Sequence, residues 1–525
     1  MSVLGLLYSY SAWSPAVLAV LAVLTPLVYY FYPYLFTYAA LRSLPAPFPA
    51  QFTNWWLLSV CRRGNRYLVV DDLHKKLGPV VRIQPNHVSI NDDAAINTIY
   101  GHGNGFLKSD YYDAFVSIQR GLFNTRDRAQ HTRKRKIVAH TFSPKSVTQF
   151  EPFIHHNLEL FVQQWDRMIA EGTGSTGAGA ATLDCLNWFN YLAFDVIGDL
   201  AFGAPFGMLS SGADIAEVRA SADSPPVYAS AIEILNRRGE VSAAIGILPA
   251  LKPWASWMPD PFFRNGSKSV QQLAGIAIAR VRERLERQPY GKDLENGRKD
   301  LLARLMEGRD DNGAPLGREE LTAEALTQLI AGSDTTSNSS CALLFHVVRT
   351  DGGRVLRRLQ AELDAALPAG KDVPTFDDVR NLPYLQSVLN ETLRHHSTSG
   401  IGLPRQIPAD SAGITLHGHY FPPGTVLSIP TYSIHHSTDI WGPDANEFRP
   451  ERWENVTTRQ RNAFIPFSHG PRACVGRNVA EMEMKLIIAT WARRYDVRLL
   501  QDYLGTSEGF LRKPLGLDIE IRRRQ

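Results

Sequence analysis

From Met1 to Leu41 the chain carries no charged side chain, and the stretches Ala16–Leu24 and Leu27–Tyr32 are almost wholly apolar. A helix of that length can cross a hydrocarbon layer of about 30 Å. Pro26 and Pro33 would kink it, as membrane helices tolerate, and Tyr29, Tyr30, Tyr32 and Tyr34 crowd one end like an interfacial belt. A cleaved leader would need a basic start and a shorter apolar core. A buried core helix does not account for so long an uncharged run. Arg42, Arg62, Arg63 and Arg66 follow, and cations after a span set the body on the cytoplasmic side. Residues 1–41 are therefore expected to form a single-pass anchor. Residues 42–50, with Leu44-Pro-Ala-Pro-Phe-Pro49, form a stiff proline hinge, and 51–525 one folded body.

Past the hinge the apolar spacing is mostly that of a helix. It predicts helical segments over 126–170, 182–204, 268–287, 319–349, 351–367, 376–396 and 476–494. Gly78-Pro-Val-Val-Arg-Ile-Gln-Pro and His87-Val-Ser-Ile-Asn-Asp, rich in β-branched residues, predict a hairpin. Gly413-Ile-Thr-Leu-His and Thr425-Val-Leu-Ser-Ile predict short strands between Pro/Gly turns. The Gly/Ser/Thr-rich stretch 170–180 reads as a flexible surface insertion, too short to separate domains. The body is expected to be mainly α with a small β portion.

Composition narrows the partners. A net charge of +4 on 525 residues gives no sign of nucleic acid. Cys61, Cys185, Cys341 and Cys474 lack the spacing of a disulfide framework, which fits a reducing compartment. The sequence has no Gly-Lys phosphate loop, zinc-type Cys/His pairing or fixed-period repeat.

One cysteine stands in a loop with a chemical reading: Phe467-Ser-His-Gly470-Pro-Arg472-Ala-Cys474-Val-Gly476. A thiolate from Cys474 can ligate a haem iron, pushing electron density onto it and favouring O–O cleavage. Gly470 and Gly476 would let the backbone turn with positive φ and approach the sulfur, so that nearby N–H groups tune it. Phe467 would shield the sulfur, and Arg472 would reach a haem propionate. The bland alternative is a free buried cysteine, but five such positions coincide at a given start roughly once in a few million.

This pattern resembles the haem loop of the cytochrome P450 monooxygenases, and the resemblance runs from about residue 45 to the C-terminus. It implies the P450 fold and haem b on the Cys474 thiolate. It also implies electrons from NADPH through a cytochrome P450 reductase, with cytochrome b5 as an optional further donor, and an endoplasmic reticulum anchor. Leu329-Ile-Ala331-Gly332-Ser-Asp334-Thr335 lies midway along the 319–349 pattern, and glycine beside Asp-Thr is weak for a helix interior. A bulge admitting a ligand is expected there. The segment is similar to the family's oxygen-activating helix, in which Gly332 would open space beside the iron. Thr335 would hold reduced dioxygen or a water, and Asp334 would feed it protons. Back-bonding of Thr within an ordinary helix is the alternative.

Asn390-Glu391-Thr-Leu-Arg394 places Glu391 and Arg394 on one helix face. With Arg452 of Pro450-Glu451-Arg452-Trp453 it is similar to the Glu–Arg–Arg cluster that supports the haem loop, Trp453 standing where many relatives have phenylalanine. His131 and Arg135 share a face at i and i+4 and resemble the propionate-binding helix, with His131 in place of the usual tryptophan. Arg405 joins them by resemblance. Arg133, Lys134, Lys136, Arg477 and Lys485 offer a basic face to an acidic reductase.

Pocket walls are expected from the loop after residue 104, from Ala331 and Gly332, from Ser397–Leu403 and from Gly509-Phe510. Ser399, Gly400 and Gly402 are small where bulk would crowd the iron. The stretches 121–136 and 395–405 resemble fungal benzoate para-hydroxylases, which implies ring hydroxylation of a small aromatic acid. Its carboxylate would need hydrogen bonds or a cation. Ser399, Tyr111, Tyr112 and Lys108 are candidates, and each is equally a loop filler. Three alternatives stay open: a monooxygenase tailoring another fungal aromatic or polyketide metabolite, a haem-thiolate isomerase or dehydratase, and a non-catalytic haem sensor. Asp334-Thr335 and the basic face argue against the isomerase.

Overall fold

A computed structural model of the chain describes residues 15–524 except 173, 175–178, 288–299, 310–312 and 369. The first 14 residues of the expected anchor and five residues of the glycine-rich insertion, 173 and 175–178, lie outside the described residues. The apolar run forms α1 (Pro15–Tyr32), with Pro26 inside it, and continues as a π turn over Pro33–Thr37. From Val17 to Thr37 this helix is long and apolar enough to cross a membrane, and none of it is buried against the body.

Two helices that the periodicity did not predict follow, α2 (Trp55–Arg62) and α3 (Arg66–Leu77). The buried face of α3 includes Arg66, Asp71 and His74, so polar residues stand where the pattern looks for apolar ones. Next come β1 (Val80–Gln84) and β2 (His87–Ile90), the expected hairpin, with Val80 opposite Ile90. After β3 (Leu107–Lys108), the predicted 126–170 helix is broken into α4 (Arg128–Ala139) and α5 (Glu151–Glu171). Pro144 lies between them and has no N–H with which to continue the first. The chain then adds β4 (Ala181–Asp184), α6 (Cys185–Phe202), α7 (Ala231–Ile247) and α8 (Pro261–Arg287). Three further helices are α9 (Arg318–Arg349), α10 (Arg354–Ala366) and α11 (Pro383–His395), the last opened by Pro383 at its first turn.

Strands β5 (Arg405–Gln406) and β6 (Val426–Ser428) complete a five-stranded sheet in the order β1-β2-β6-β5-β3, with β6 parallel to β2. Helix α12 (Arg477–Arg494) leads into β7 (Tyr495–Leu499), the hairpin β8 (Thr506–Glu508) and β9 (Arg512–Pro514), and β10 (Asp518–Arg523). Strand β10 is central in a three-stranded sheet with β7 and β4.

The largest apolar core packs α5, α6, α9, α11 and α12 around Leu192, Leu329, Leu344, Leu385 and Ile488. A buried carboxyl interrupts it. Glu483 of α12 accepts from Thr336 Oγ1 of α9 at 3.4 Å, and its Oε1 has no partner among the described residues. Burial pushes this carboxyl up to about 8 from an ordinary 4.5, so it is neutral at pH 7. Between those values the folded state keeps a proton that the unfolded chain has lost, so rising pH destabilises the fold. Glu483→Gln removes that slope. The variant's melting temperature relative to the natural chain should climb as pH rises from 4.5 to 8, measured by far-ultraviolet circular dichroism; parallel curves would refute the neutral carboxyl.

Candidate active site

The loop around Cys474 closes on itself. Cys474 N–H donates to Phe467 O at 2.9 Å, and Ala473 N–H to Gly470 O at 3.0 Å. Gly470 has φ +71°, and a Cβ there would stand 1.9 Å from the Tyr100 carbonyl oxygen, so glycine is required. Gly476 departs from expectation. Its φ is −82°, open to any residue, and a Cβ there would stand 4.0 Å from the Cys474 sulfur and from the Phe142 ring, an ordinary contact, so neither a turn nor a close approach within the protein requires glycine. Cys474 has accessible surface, yet its sulfur lies deep among protein atoms. This desolvation raises the thiol, while the N–H groups of Gly476 and Arg477 and the Arg135 guanidinium pull it down. Phe467 is half-buried, with the Arg477 guanidinium 5.6 Å from its ring centroid.

Three elements and the loop itself bring cations together here. Arg135 of α4 donates to Ala473 O at 2.6 Å, and Arg472 donates to the carbonyls of Thr125 and Arg126 at 2.8 and 3.1 Å. Arg405 of β5 holds Tyr112 Oη at 2.9 Å and keeps a buried Nη2 without a partner among the described residues. Lys108 of β3 joins them, and sequence reasoning placed it elsewhere, among the substrate's partners. Its ammonium donates to Phe123 O and lies 4.4 Å from the Tyr112 ring centroid. Burial, with Arg405, Arg472 and Arg135 nearby, depresses the Lys108 ammonium. His131 is buried in the same field. Burial first, then Arg472, Lys108, Arg135 and Arg405, push it down to about 3, so it stays neutral and can donate from one ring nitrogen. A cluster of this sign with an orphaned guanidinium nitrogen fits the two carboxylates of a haem.

Glu391 lies at the centre of a second cluster. Arg394 grips it through two bonds of 2.8 and 2.9 Å, Arg452 Nε reaches it at 3.1 Å and Arg449 N–H at 2.9 Å. Trp453 Nε1–H adds a fifth donor at 3.0 Å, a contact that phenylalanine could not make. Burial would raise the carboxyl, but Arg394 and then Arg452 overcome it and hold it below the ordinary value.

Helix α9 remains α-helical through Gly332, without the expected bulge. A Cβ on Gly332 would meet Ile197 of α6 at 2.7 Å, so this glycine admits a neighbouring helix instead of a ligand. Ala331 is exposed and Thr335 half-buried. Thr335 Oγ1 donates to Ala331 O at 2.7 Å, the back-bond, which leaves its lone pairs free to accept. Asp334 accepts from Asn338 Nδ2 at 2.8 Å, and burial raises its carboxyl against the pull of Lys513, Asn338 and Arg238. Two other glycines also face away from expectation. A Cβ on Gly400 would stand 2.8 Å from Glu508 Oε1, and one on Gly402 would stand 2.8 Å from Ser428 Cβ and the Ile429 carbonyl oxygen. Ser399 beside them is half-buried.

A model of the cytochrome P450 family matches residues 45–520. The chain belongs to the cytochrome P450 family. It is 61% identical over 501 residues to a benzoate 4-monooxygenase of Aspergillus niger, covering 95% of this chain and 96% of the relative. A cytochrome P450 monooxygenase of Aspergillus terreus is 31% identical over 518 residues (93% and 98%). Pisatin demethylase of Fusarium vanettenii is 28% identical over 470 residues (88% and 86%). As a P450 the chain is a haem-thiolate monooxygenase.

The expected basic docking face of this P450 is largely not a surface. Lys134 is buried against Glu320 and Glu324, Arg133 pairs with the same Glu320 at 2.6 Å, and Lys485 is buried with its ammonium on Arg380 O at 2.6 Å. Lys136 and Arg477 alone of the five are exposed. The carboxylates that draw Arg133 and Lys134 inward lie some 190 positions away in the chain, and the carbonyl that takes Lys485 lies 105 away, out of reach of a local charge pattern.

Phenylalanine at 453 keeps the ring and loses the bond to Glu391. A hydrogen bond to a buried charge contributes roughly 1.5–3 kcal/mol. Trp453→Phe should lower unfolding stability by about that amount, read from the guanidinium midpoint of the haem-loaded protein. An unshifted midpoint would remove Trp453 from the cluster's support.

Proposed function

We propose that this P450 hydroxylates benzoate, or a closely related aromatic acid, at the ring carbon opposite the carboxylate. The observation that carries the reading is the 61% identity to a benzoate 4-monooxygenase, sustained over nearly the whole of both chains. Cys474 would hold the haem iron through its thiolate. Arg135, Arg405, Arg472, Lys108 and neutral His131 would receive the haem propionates. Glu391, Arg394 and Arg452 would hold the loop in register and take no part in the chemistry. When bound, haem supplies the activation of dioxygen. Two electrons, from NADPH through a reductase, and two protons complete the balance, one oxygen atom entering the C–H bond and the other leaving as water.

The protein's own part is binding, orientation and proton delivery. Asp334, with its carboxyl raised by burial, can carry a proton at neutral pH more often than a solvated carboxylate does. Thr335, one residue on, has acceptor capacity left for the water that passes the proton forward. Helix α1 and the turn after it would anchor the enzyme in the endoplasmic reticulum membrane, residues 42–50 acting as the hinge and 51–525 as the catalytic body.

Benzoate should perturb the Soret band of the haem-loaded enzyme and emerge as 4-hydroxybenzoate with NADPH and reductase; a panel of ring-substituted aromatic acids without effect would overturn the substrate. Thr335→Ala should still consume NADPH while hydrogen peroxide replaces most of the hydroxylated product. The ratio of product to NADPH measures this, and an unchanged ratio would strip Thr335 of its proton role.

A further inference from the structure

Helix α7 carries a buried arginine that nothing above uses. Arg238 is 5% exposed, and one Nη donates to Phe115 O at 3.0 Å. Among the described residues its buried Nε has no partner, and it forms no ion pair. A guanidinium taken out of water is costly unless an anion answers it. The acids nearest by field are Tyr111, a phenol that burial keeps protonated and whose hydroxyl has no partner among the described residues, and Asp334 on the oxygen helix. Burial pushes Arg238 down to about 10, so it stays a cation at neutral pH.

The surroundings say what the anion is attached to. The Arg238 guanidinium lies 5.2 Å from the Phe115 ring centroid. Phe115, Phe123 and Phe510 pack into a three-ring cluster in mutual contact, each pair edge to face, with centroids 4.9, 5.3 and 5.7 Å apart. Tyr112 extends the cluster at one end, 5.4 Å from Phe123 and bonded to Arg405 of the propionate cluster. The cluster thus has a cationic pole at each end. One pole is committed to the haem, and the other is Arg238. Arg66, also buried with an unpartnered nitrogen, is a different case, because the Glu508 carboxyl and the Cys61 thiol lie beside it; Tyr111 lies in the field of both cations.

We infer that Arg238 is the carboxylate anchor of the substrate pocket: its guanidinium, with the Tyr111 hydroxyl, takes an aromatic carboxylate at the end of the phenylalanine cluster remote from the propionate cations. The assignment rests on the function proposed above and names the residue that selects the acid. It replaces Lys108 and Tyr112 in that role, since both are engaged with the propionate cluster. Tyr111 keeps its place among the expected partners.

The test compares benzoate with benzamide, the same shape without the charge, in Soret titrations of the haem-loaded full chain. Arg238→Gln should raise the half-saturating benzoate concentration roughly 10- to 100-fold while moving benzamide by less than about threefold. Arg238→Lys should recover part of the loss, and Tyr111→Phe should cost about 3- to 10-fold for benzoate alone. The reduced, carbon-monoxide-treated spectrum of each variant must match the natural chain, which separates lost binding from lost haem. Equal losses for acid and amide would make Arg238 a structural tie of α7 to Phe115. Unchanged benzoate titration with altered coupling would make it a positioning residue for Asp334. Either outcome overturns the anchor. A natural chain that answers another aromatic carboxylate but not benzoate overturns the function proposed above, and the same variants then decide the anchor with that acid. A chain that answers no aromatic carboxylate overturns both.

Discussion

Glu391 carries its charge with no exposed surface, and the region that presents Cys474 is arranged to answer that charge. Desolvating an ion costs several kcal/mol, which is recovered only with close to ideal geometry and with every remaining donor and acceptor satisfied. Both conditions hold. Arg394, after gripping Glu391, directs its other N–H groups to the carbonyls of His435, Ala445 and Glu447; Arg452 does the same with Trp441 and Asp444. One buried carboxylate thereby fixes helix α11 against the whole segment from 435 to 453, a short way ahead of the cysteine loop. Slippage of that segment by one residue would strand a charge, so the loop has one register.

The same cost of burying charge sorts the other ionisable groups. Glu483 has the chemistry of Glu391 but a single long hydroxyl contact, and it stays protonated instead of ionised. Lys134 is buried and paired with two glutamates, which makes it a structural cation. Arg405 and Arg238 are buried with nitrogen atoms left over. A surplus of donors in a dry interior is unfavourable for the protein alone, and both surpluses border the aromatic cluster. Fully answered charges build the scaffold here, and Arg405 and Arg238 are the two under-answered ones to which anions are assigned above.

Local patterns revealed the regions of this enzyme whose contacts are local. The cysteine loop is closed by bonds among residues 467–474, so ten consecutive letters sufficed to read it. The long amphipathic helices announced themselves by period. Helices α3 and α7 did not, because α3 buries Arg66, Asp71 and His74, while α7 mixes Arg238 and Ser242 with small residues from Ala243 to Gly246. Glycine was the least transparent letter. A missing side chain at 332, 400 or 402 says that space is needed, but the neighbours needing it (Ile197, Glu508, Ser428) come from distant regions of the chain. Lys134 and Lys485 looked like surface for the same reason.

A carboxylate anchor at Arg238 would also suit the proposed position of attack. Benzoate has only about nine heavy atoms, and even the best small ligands gain no more than about 1.5 kcal/mol from each, so broad contact alone cannot fix its orientation. The carbon para to the carboxylate lies on the axis through the carboxylate carbon and the ring. Rotation of the ring about that axis sweeps the ortho and meta carbons through wide arcs and leaves the para carbon where it was. A charge-assisted contact at one end of the axis would therefore fix the other end without a tight grip on the ring. The phenylalanine cluster of Phe115, Phe123 and Phe510 would need only to set the direction of the axis, and the guanidinium of helix α7 its origin.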